Sequence, residues 1–192
     1  MTIRDRIVSA AHEVEGLRAA TDEPAFRSLL GEPPKGSKWD LSQPFSCRKV
    51  DGKCQTKGVS TCGLVAVGIL RRAGLKLPFV GPYWQWPRYE GLDVVSALSK
   101  LGTVTESRRP AGAMPMPGDV CCIGSSLATH VFTVVDWDGA TMISVDGGQV
   151  DDAAHRYLQR VKVCRRVWPR PVVWVIDSET LWANLEAVDA YP

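Results

Sequence analysis

The chain contains six cysteines and three histidines, the residue types most often used for nucleophilic and acid–base chemistry. Their density is too low for a disulfide scaffold, and no two cysteines have the C-x-x-C spacing typical of zinc sites. We therefore expect most of them to pack as small apolar side chains, and neither a metal nor an organic cofactor is implied. The candidates for a reactive thiol are Cys47, Cys54, Cys62, Cys121, Cys122 and Cys164.

Cys62 differs from the other cysteines in its predicted setting. It lies in the first turn of a predicted helix over residues 60–73, where Ser60 or Thr61 can cap the helix. Unpaired N–H groups and the positive end of the helix dipole favour a thiolate there and can stabilise an oxyanion beside the sulfur. The sequence thus predicts a nucleophile at Cys62. The alternative is a cysteine that only packs at a helix start.

His130 and Asp146 follow in an order that suits a base and its orienting group. His130 opens a predicted strand over residues 130–135 and can act as general base to a cysteine. Mirroring the next strand about a turn centred between residues 138 and 139 places position 147 opposite His130, one residue from Asp146. Each residue also has a structural alternative: a hydrogen-bonded core histidine for His130 and a turn cap for Asp146. Gln149 is the alternative orienting group.

In this order and context the chain resembles the papain-like cysteine hydrolases of the bacterial NlpC and CHAP group, which cleave peptidoglycan peptides. The resemblance spans about residues 55–176 and implies that Cys62 is the nucleophile, His130 the base and Asp146 the polar third residue. Thr61 stands where the family usually has an acidic residue. The matching stretches are residues 60–65, 117–120, 129–131 and 145–149.

The resemblance implies an amidase or endopeptidase that works through a thioacyl intermediate on peptidoglycan or another peptide substrate. A secreted antibacterial effector of this kind would meet an immunity or inhibitor protein. Two alternatives stay open: a papain-like deamidase or acyltransferase acting on a protein, and a catalytically inactive binding module of the same fold. Gln55 is a candidate for the glutamine that papain-like enzymes place near the oxyanion.

The predicted elements place helices first and an antiparallel sheet after them, which indicates an α+β, papain-like fold with N-terminal helices packed on the sheet. Helices are predicted over residues 2–19, with Thr2 and Asp5 as a capping box, and from Asp22 to Leu30. A hairpin over residues 45–56 would place Lys49 opposite Cys54. Breakers at residues 32–37 divide the chain into a helical extension, 1–36, and a catalytic domain, 37–192.

Two further stretches admit a functional and a structural interpretation. Trp84 and Trp86 belong to an aromatic-rich stretch, residues 83–89, that either forms a substrate-binding wall or fixes a long loop to the core. We assign both, with Gln149, to substrate binding. A predicted strand alternates Arg160, Lys162 and Arg166 with valines. Such a basic face either contacts an acidic polymer or is simply solvated.

The composition is that of an ordinary globular domain: 192 residues, 45% hydrophobic, with a net charge of +2. So small a charge, without a recognised module, argues against nucleic-acid binding. No apolar run is long enough for a transmembrane helix. The N-terminus has no signal-peptide core, so localisation stays open. Delivery to the periplasm or cell wall by a non-classical route, or by phage lysis, would fit the family.

Overall fold

The computed structural model describes residues 1–31, 46–50, 53–57, 61–77, 108–109, 114–123, 130–150, 159–168 and 172–189. In these ranges the helices are α1 (Ile3–Glu13), α2 (Glu23–Leu30), α3 (Cys62–Arg72) and α4 (Ser178–Asp189). The strands are β1 (Ser46–Val50), β2 (Lys53–Lys57), β3 (Arg108–Arg109), β4 (Val120–Ile123), β5 (His130–Asp138), β6 (Thr141–Val150), β7 (Gln159–Val167) and β8 (Val172–Ile176). The predicted α+β class is confirmed. The sequence also predicts a helix that follows Asp93 and ends at Gly102, and this stretch lies outside the described residues.

The strands form two antiparallel sheets. Strands β1 and β2 make a hairpin in which Lys49 pairs with Cys54, as predicted. The other six strands form one sheet in the order β3-β8-β4-β5-β6-β7. Helix α3 packs on β5 and β6 of this sheet, and α1 and α2 both contact α3. The nearly all-apolar α3 is therefore the central helix of the described core.

Helix α1 starts where the sequence predicts and ends earlier. Thr2 and Asp5 form the predicted capping box. The prediction of helix up to residue 19 is wrong, because Gly16 adopts φ +82° and turns the chain out of the helix. Residues 16–19 instead pair with β7: the Gly16 and Ala19 N–H groups donate to carbonyl groups of Val161 and Gln159.

Residues 1–31 contribute to the same apolar core as α3 and the sheet. Ile7, Phe26 and Leu30 are fully buried there. Arg4 adds an ion pair to the buried Asp119, with 2.5 Å between Nη1 and Oδ1, and a second pair to Asp177 at 2.9 Å. These contacts tie the start of α1 to the residues that flank β4 and α4.

A β-bulge shifts the pairing of β5 with β6. Near the turn Trp137 pairs with Met142, but beyond a register shift between Val134 and Asp136 the partner of Asp146 is Phe132. Without the extra residue, Asp146 would pair with Thr133. Its side chain would then lie on the opposite side of the sheet from that of His130. The strands turn at Gly139 and Ala140, one residue later than predicted. The bulge thus places Asp146 on the face of His130.

In the described part of the chain, no helix has the length and apolar character needed to cross a membrane.

Candidate active site

Cys62 is the first residue of α3 and is buried, with 4% of its surface exposed. Thr61 occupies the N-cap position, but its side chain does not cap the helix. Its hydroxyl donates to Gln159 Oε1 of β7 across 2.5 Å, and both residues are buried. Of the two predicted caps, Thr61 therefore does not act as one, and Ser60 lies outside the described residues. The hydrogen bond of Thr61 instead fixes the start of α3 against β7.

Two glycines let the end of β6 approach the start of α3. A Cβ atom at Gly147 would lie 2.5 Å from Val65 Cγ2 and 2.8 Å from the Thr61 carbonyl oxygen. A Cβ atom at Gly148, which has φ +70°, would lie 3.3 Å from the Cys62 amide nitrogen. Side chains at these positions would push the helix off the strand. The Gly-Gly pair therefore sets the close approach of β6, which carries Asp146, to Cys62.

The structure brings Cys62, His130 and Asp146 together in one hydrogen-bonded line. His130, the first residue of β5, directs Nε2 to Asp146 Oδ2. The His130 side chain also has a hydrogen bond with Cys62. Asp146 is fully buried, whereas a quarter of the His130 side chain is exposed. A thiol, an imidazole and a carboxylate in this arrangement can transfer a proton and activate the sulfur.

The electrostatics of the site favour the charged forms of His130 and Asp146. Burial alone would lower the pKa of His130, but hydrogen bonds and charges from Asp146 and Cys62 raise it to about 9. Burial alone would raise the pKa of Asp146, yet His130 and Arg166 hold it below its usual range. At neutral pH His130 is therefore an imidazolium and Asp146 a carboxylate.

Sequence reasoning missed two residues that bind Asp146. Arg166 of β7 donates from Nη1 to Asp146 Oδ1 across 3.1 Å, and from Nη2 to Oδ2. Ser144 Oγ donates to Oδ1 at 2.6 Å and accepts from Arg166. The prediction that Arg166 belongs to a solvated basic face is wrong, because it is buried while Val167 is 68% exposed. The sequence of a strand that alternates arginine or lysine with valine does not show which of its two faces is buried.

The remaining thiols in the described residues have a different environment. Burial raises the pKa of the Cys122 thiol, and the nearby Cys62 adds to the effect. Burial and the Asp146 charge also raise the pKa of Cys164. Both environments favour the neutral thiol. Cys121 is buried in the sheet next to Cys122. Cys47 and Cys54 lie on β1 and β2 but do not pair directly, and their side chains fall outside the described residues.

The predicted substrate-binding residues are only partly within the structure. Gln149 lies on β6 opposite Arg160, three residues after Asp146, and its side chain is outside the described part. Asp146 contacts His130. Trp84 and Trp86 lie outside the described residues altogether. Gln55 pairs with Arg48 in the hairpin. Among the described residues no group of three or more His, Cys, Asp or Glu side chains is placed to hold a metal ion.

The hydrogen bonds of His130 predict how the pKa of its imidazole responds to substitution of Asp146. Asp146→Asn removes a charge and an acceptor that raise the pKa of His130, while burial continues to lower it. We expect the midpoint to fall from about 9 by more than one pH unit. Proton NMR titration of the imidazole signals measures the change, with the wild-type protein as the reference. A midpoint that does not move would contradict the contact between His130 and Asp146.

No protein-family model matches the chain, and no curated protein or solved structure shows significant similarity to it. The functional interpretation therefore depends on the geometry of Cys62, His130 and Asp146 and on the chemistry that these groups can perform.

Proposed function

We propose that the protein is a papain-like cysteine amidase or endopeptidase that cleaves amide bonds through a thioacyl intermediate. The observation that carries this proposal is the hydrogen-bonded line from Cys62 through His130 to the buried Asp146. Three features support it further: the helix start at Cys62, the raised pKa of His130, and the contact of His130 Nε2 with Asp146.

In the proposed reaction the Cys62 sulfur attacks the amide carbonyl and forms the S–C bond. The developing oxyanion lies near the N–H groups that begin α3. His130 gives its proton to the amide nitrogen as the C–N bond breaks and the amine leaves. Neutral His130 then takes a proton from water, whose oxygen attacks the thioester, and the C–S bond breaks to restore thiolate and imidazolium.

Peptidoglycan stem peptides are the proposed substrate, on the strength of the resemblance in residues 60–65, 117–120, 129–131 and 145–149. The most direct test is mass spectrometry of soluble products after purified sacculi of several wall chemotypes are incubated with the protein. Released muropeptides with a new amine and a new carboxyl terminus are expected. If no chemotype yields products, the cell-wall assignment is wrong.

A second measurement separates an inactive site from an unknown substrate. The rate at which iodoacetamide modifies Cys62, followed by peptide mass spectrometry against pH, reports thiolate character. We expect Cys62 to react at lower pH than an ordinary thiol in the wild type and to lose this advantage in His130→Ala. Fast alkylation without muropeptide release would favour a deamidase or acyltransferase acting on a protein. An ordinary thiol in both proteins would favour a binding module.

A further inference from the structure

Arg166 is the feature of the site that the proposed reaction does not yet use. Its side chain, on β7, is buried, in a strand whose neighbouring arginine, Arg165, is 64% exposed and pairs with the exposed Asp138. A buried guanidinium is costly unless its charge and its N–H groups are matched. Its partners therefore indicate what it does.

The guanidinium is held on its polar edge and on its flat face. Its two terminal nitrogens donate to both oxygens of Asp146, and Nη1 also donates to Ser144 Oγ. Its central carbon lies 4.3 Å from the centre of the Phe132 ring, whose centre is in turn 6.0 Å from that of His130. Two-point binding fixes the plane of the carboxylate as well as its charge. Asp146 is thus aimed at His130 by Arg166.

The negative charge of Asp146 depends most on stabilisation by Arg166 when His130 is neutral. The Asp146 carboxylate is hydrogen-bonded to His130 of β5, Ser144 of β6 and Arg166 of β7. The exposed Lys162 is paired opposite it on β7, and the charge of Asp146 also acts on Cys164. Cys62 lies on the other side of His130. Among the described residues, only His130 and Arg166 are cations bonded to Asp146. Once His130 has given its proton to the leaving amine, Arg166 is the one that remains.

We propose that Arg166 is a positioning residue that keeps Asp146 ionised and aimed at His130 through both halves of the reaction. This inference rests on the function proposed above. In the thioacyl stage a carboxylate without Arg166 would be buried beside a neutral imidazole, and it would bind a proton. A protonated Asp146 could not hold His130 as the base that activates water. Arg166 prevents that protonation while His130 cycles.

The test is the pH profile of Cys62 alkylation, with protein folding checked by circular dichroism. Removing the guanidinium charge favours the protonated form of every neighbouring acid, so in Arg166→Gln we expect the onset of reactivity to move up by about one pH unit. Arg166→Lys keeps the charge but loses the two-point contact, so its onset should stay in place while its rate falls. Arg165→Gln is the matched control, with the same charge change one residue away and no expected shift.

The outcomes distinguish this inference from the proposed function. If wild-type Cys62 reacts as an ordinary thiol, the proposed function fails. If it reacts as an activated thiol and the Arg166→Gln profile overlays that of the wild type, only the role of Arg166 is overturned. If Arg166 had only a structural role, Arg166→Gln would lower the alkylation rate without moving the pH at which Cys62 becomes reactive. That result would also overturn the proposed role of Arg166.

A second variant keeps the test decisive if Arg166→Gln does not fold. Ser144→Ala removes one hydrogen bond from Asp146 and one from Arg166 without changing any charge. We expect it to slow alkylation several-fold with a smaller upward shift of the onset. Wild-type rates and onsets in both Ser144→Ala and Arg166→Lys would overturn the proposal.

Discussion

On the proposed function, a protein that carries Cys62→Ala is expected to release almost no product from sacculi under conditions in which the wild-type protein releases muropeptides. The loss should reach about 10⁴- to 10⁶-fold, because without the sulfur no covalent intermediate can form and only the binding groups remain. Cys62→Ser should be nearly as inactive, since a hydroxyl group at the same place is a far weaker acid than a thiol. Quantitative mass spectrometry of the released muropeptides measures both losses.

Cys121→Ala is the matched control for this experiment. It makes the same chemical change in another buried cysteine, on β4, which is not part of the hydrogen-bonded line. Its activity should stay within a few-fold of the wild type after correction for the folded fraction. Equal losses in Cys62→Ala and Cys121→Ala would point to a general effect on folding. Residual turnover near the wild-type rate in Cys62→Ala would rule out a cysteine mechanism.

The second prediction with a large effect is that removing the N-terminal segment abolishes folding. A chain that begins at Ser37 is expected not to fold on its own, and to show no cooperative transition in urea. Five large side chains from this segment are at most 2% exposed, and each contributes about 1.5–3 kcal/mol by burial. Their loss, on the order of 10 kcal/mol, is comparable with the whole stability of an ordinary domain. They are Ile7, Val14, Phe26, Leu29 and Leu30.

The shortened chain would also lose the pairing of residues 16–19 with β7. The backbone groups of Gln159 and Val161 that now bond this segment would be left as an unpaired strand edge, which favours aggregation. Sedimentation and urea denaturation, compared with the full chain, measure both consequences. A soluble, cooperatively folded chain with a reactive Cys62 would show that residues 1–36 are a separable extension, as their sequence boundary suggests.

Local signals in the sequence predicted a good part of the site. Cys62 stands at a helix start, His130 at a strand start and Asp146 near the end of the next strand, and each position follows from neighbouring residues. Their proximity is present in the structure, whereas their catalytic roles stay predictions. The bulge between Val134 and Asp136 could not be predicted, because one extra residue among the mostly apolar side chains of β5 leaves no mark in the pattern.

The contact between Arg166 and Asp146 could not be predicted from the sequence for a related reason. An alternating strand shows which residues share a face but not whether that face meets solvent or a buried carboxylate, so Arg160, Lys162 and Arg166 seemed equivalent. The register of β6 with β7 pairs Arg166 with Met142 and puts Lys162 opposite Asp146, so only the path of the long Arg166 side chain brings its guanidinium to Asp146. The early end of α1 at Glu13 likewise depended on Gly16 turning the chain toward β7, a tertiary contact.

The chain positions of the four side chains also set the order in which the site can assemble. His130, Asp146 and Arg166 come from three consecutive antiparallel strands, β5, β6 and β7, so their contacts close short segments of chain. Cys62 arrives on α3 from much earlier in the chain, and closing that longer loop carries a larger entropic cost. We therefore expect a newly made chain to have an ordinary thiol at Cys62 until α3 packs on strands β5, β6 and β7. On the proposed function, the reactivity of Cys62 toward iodoacetamide is then expected to report complete folding.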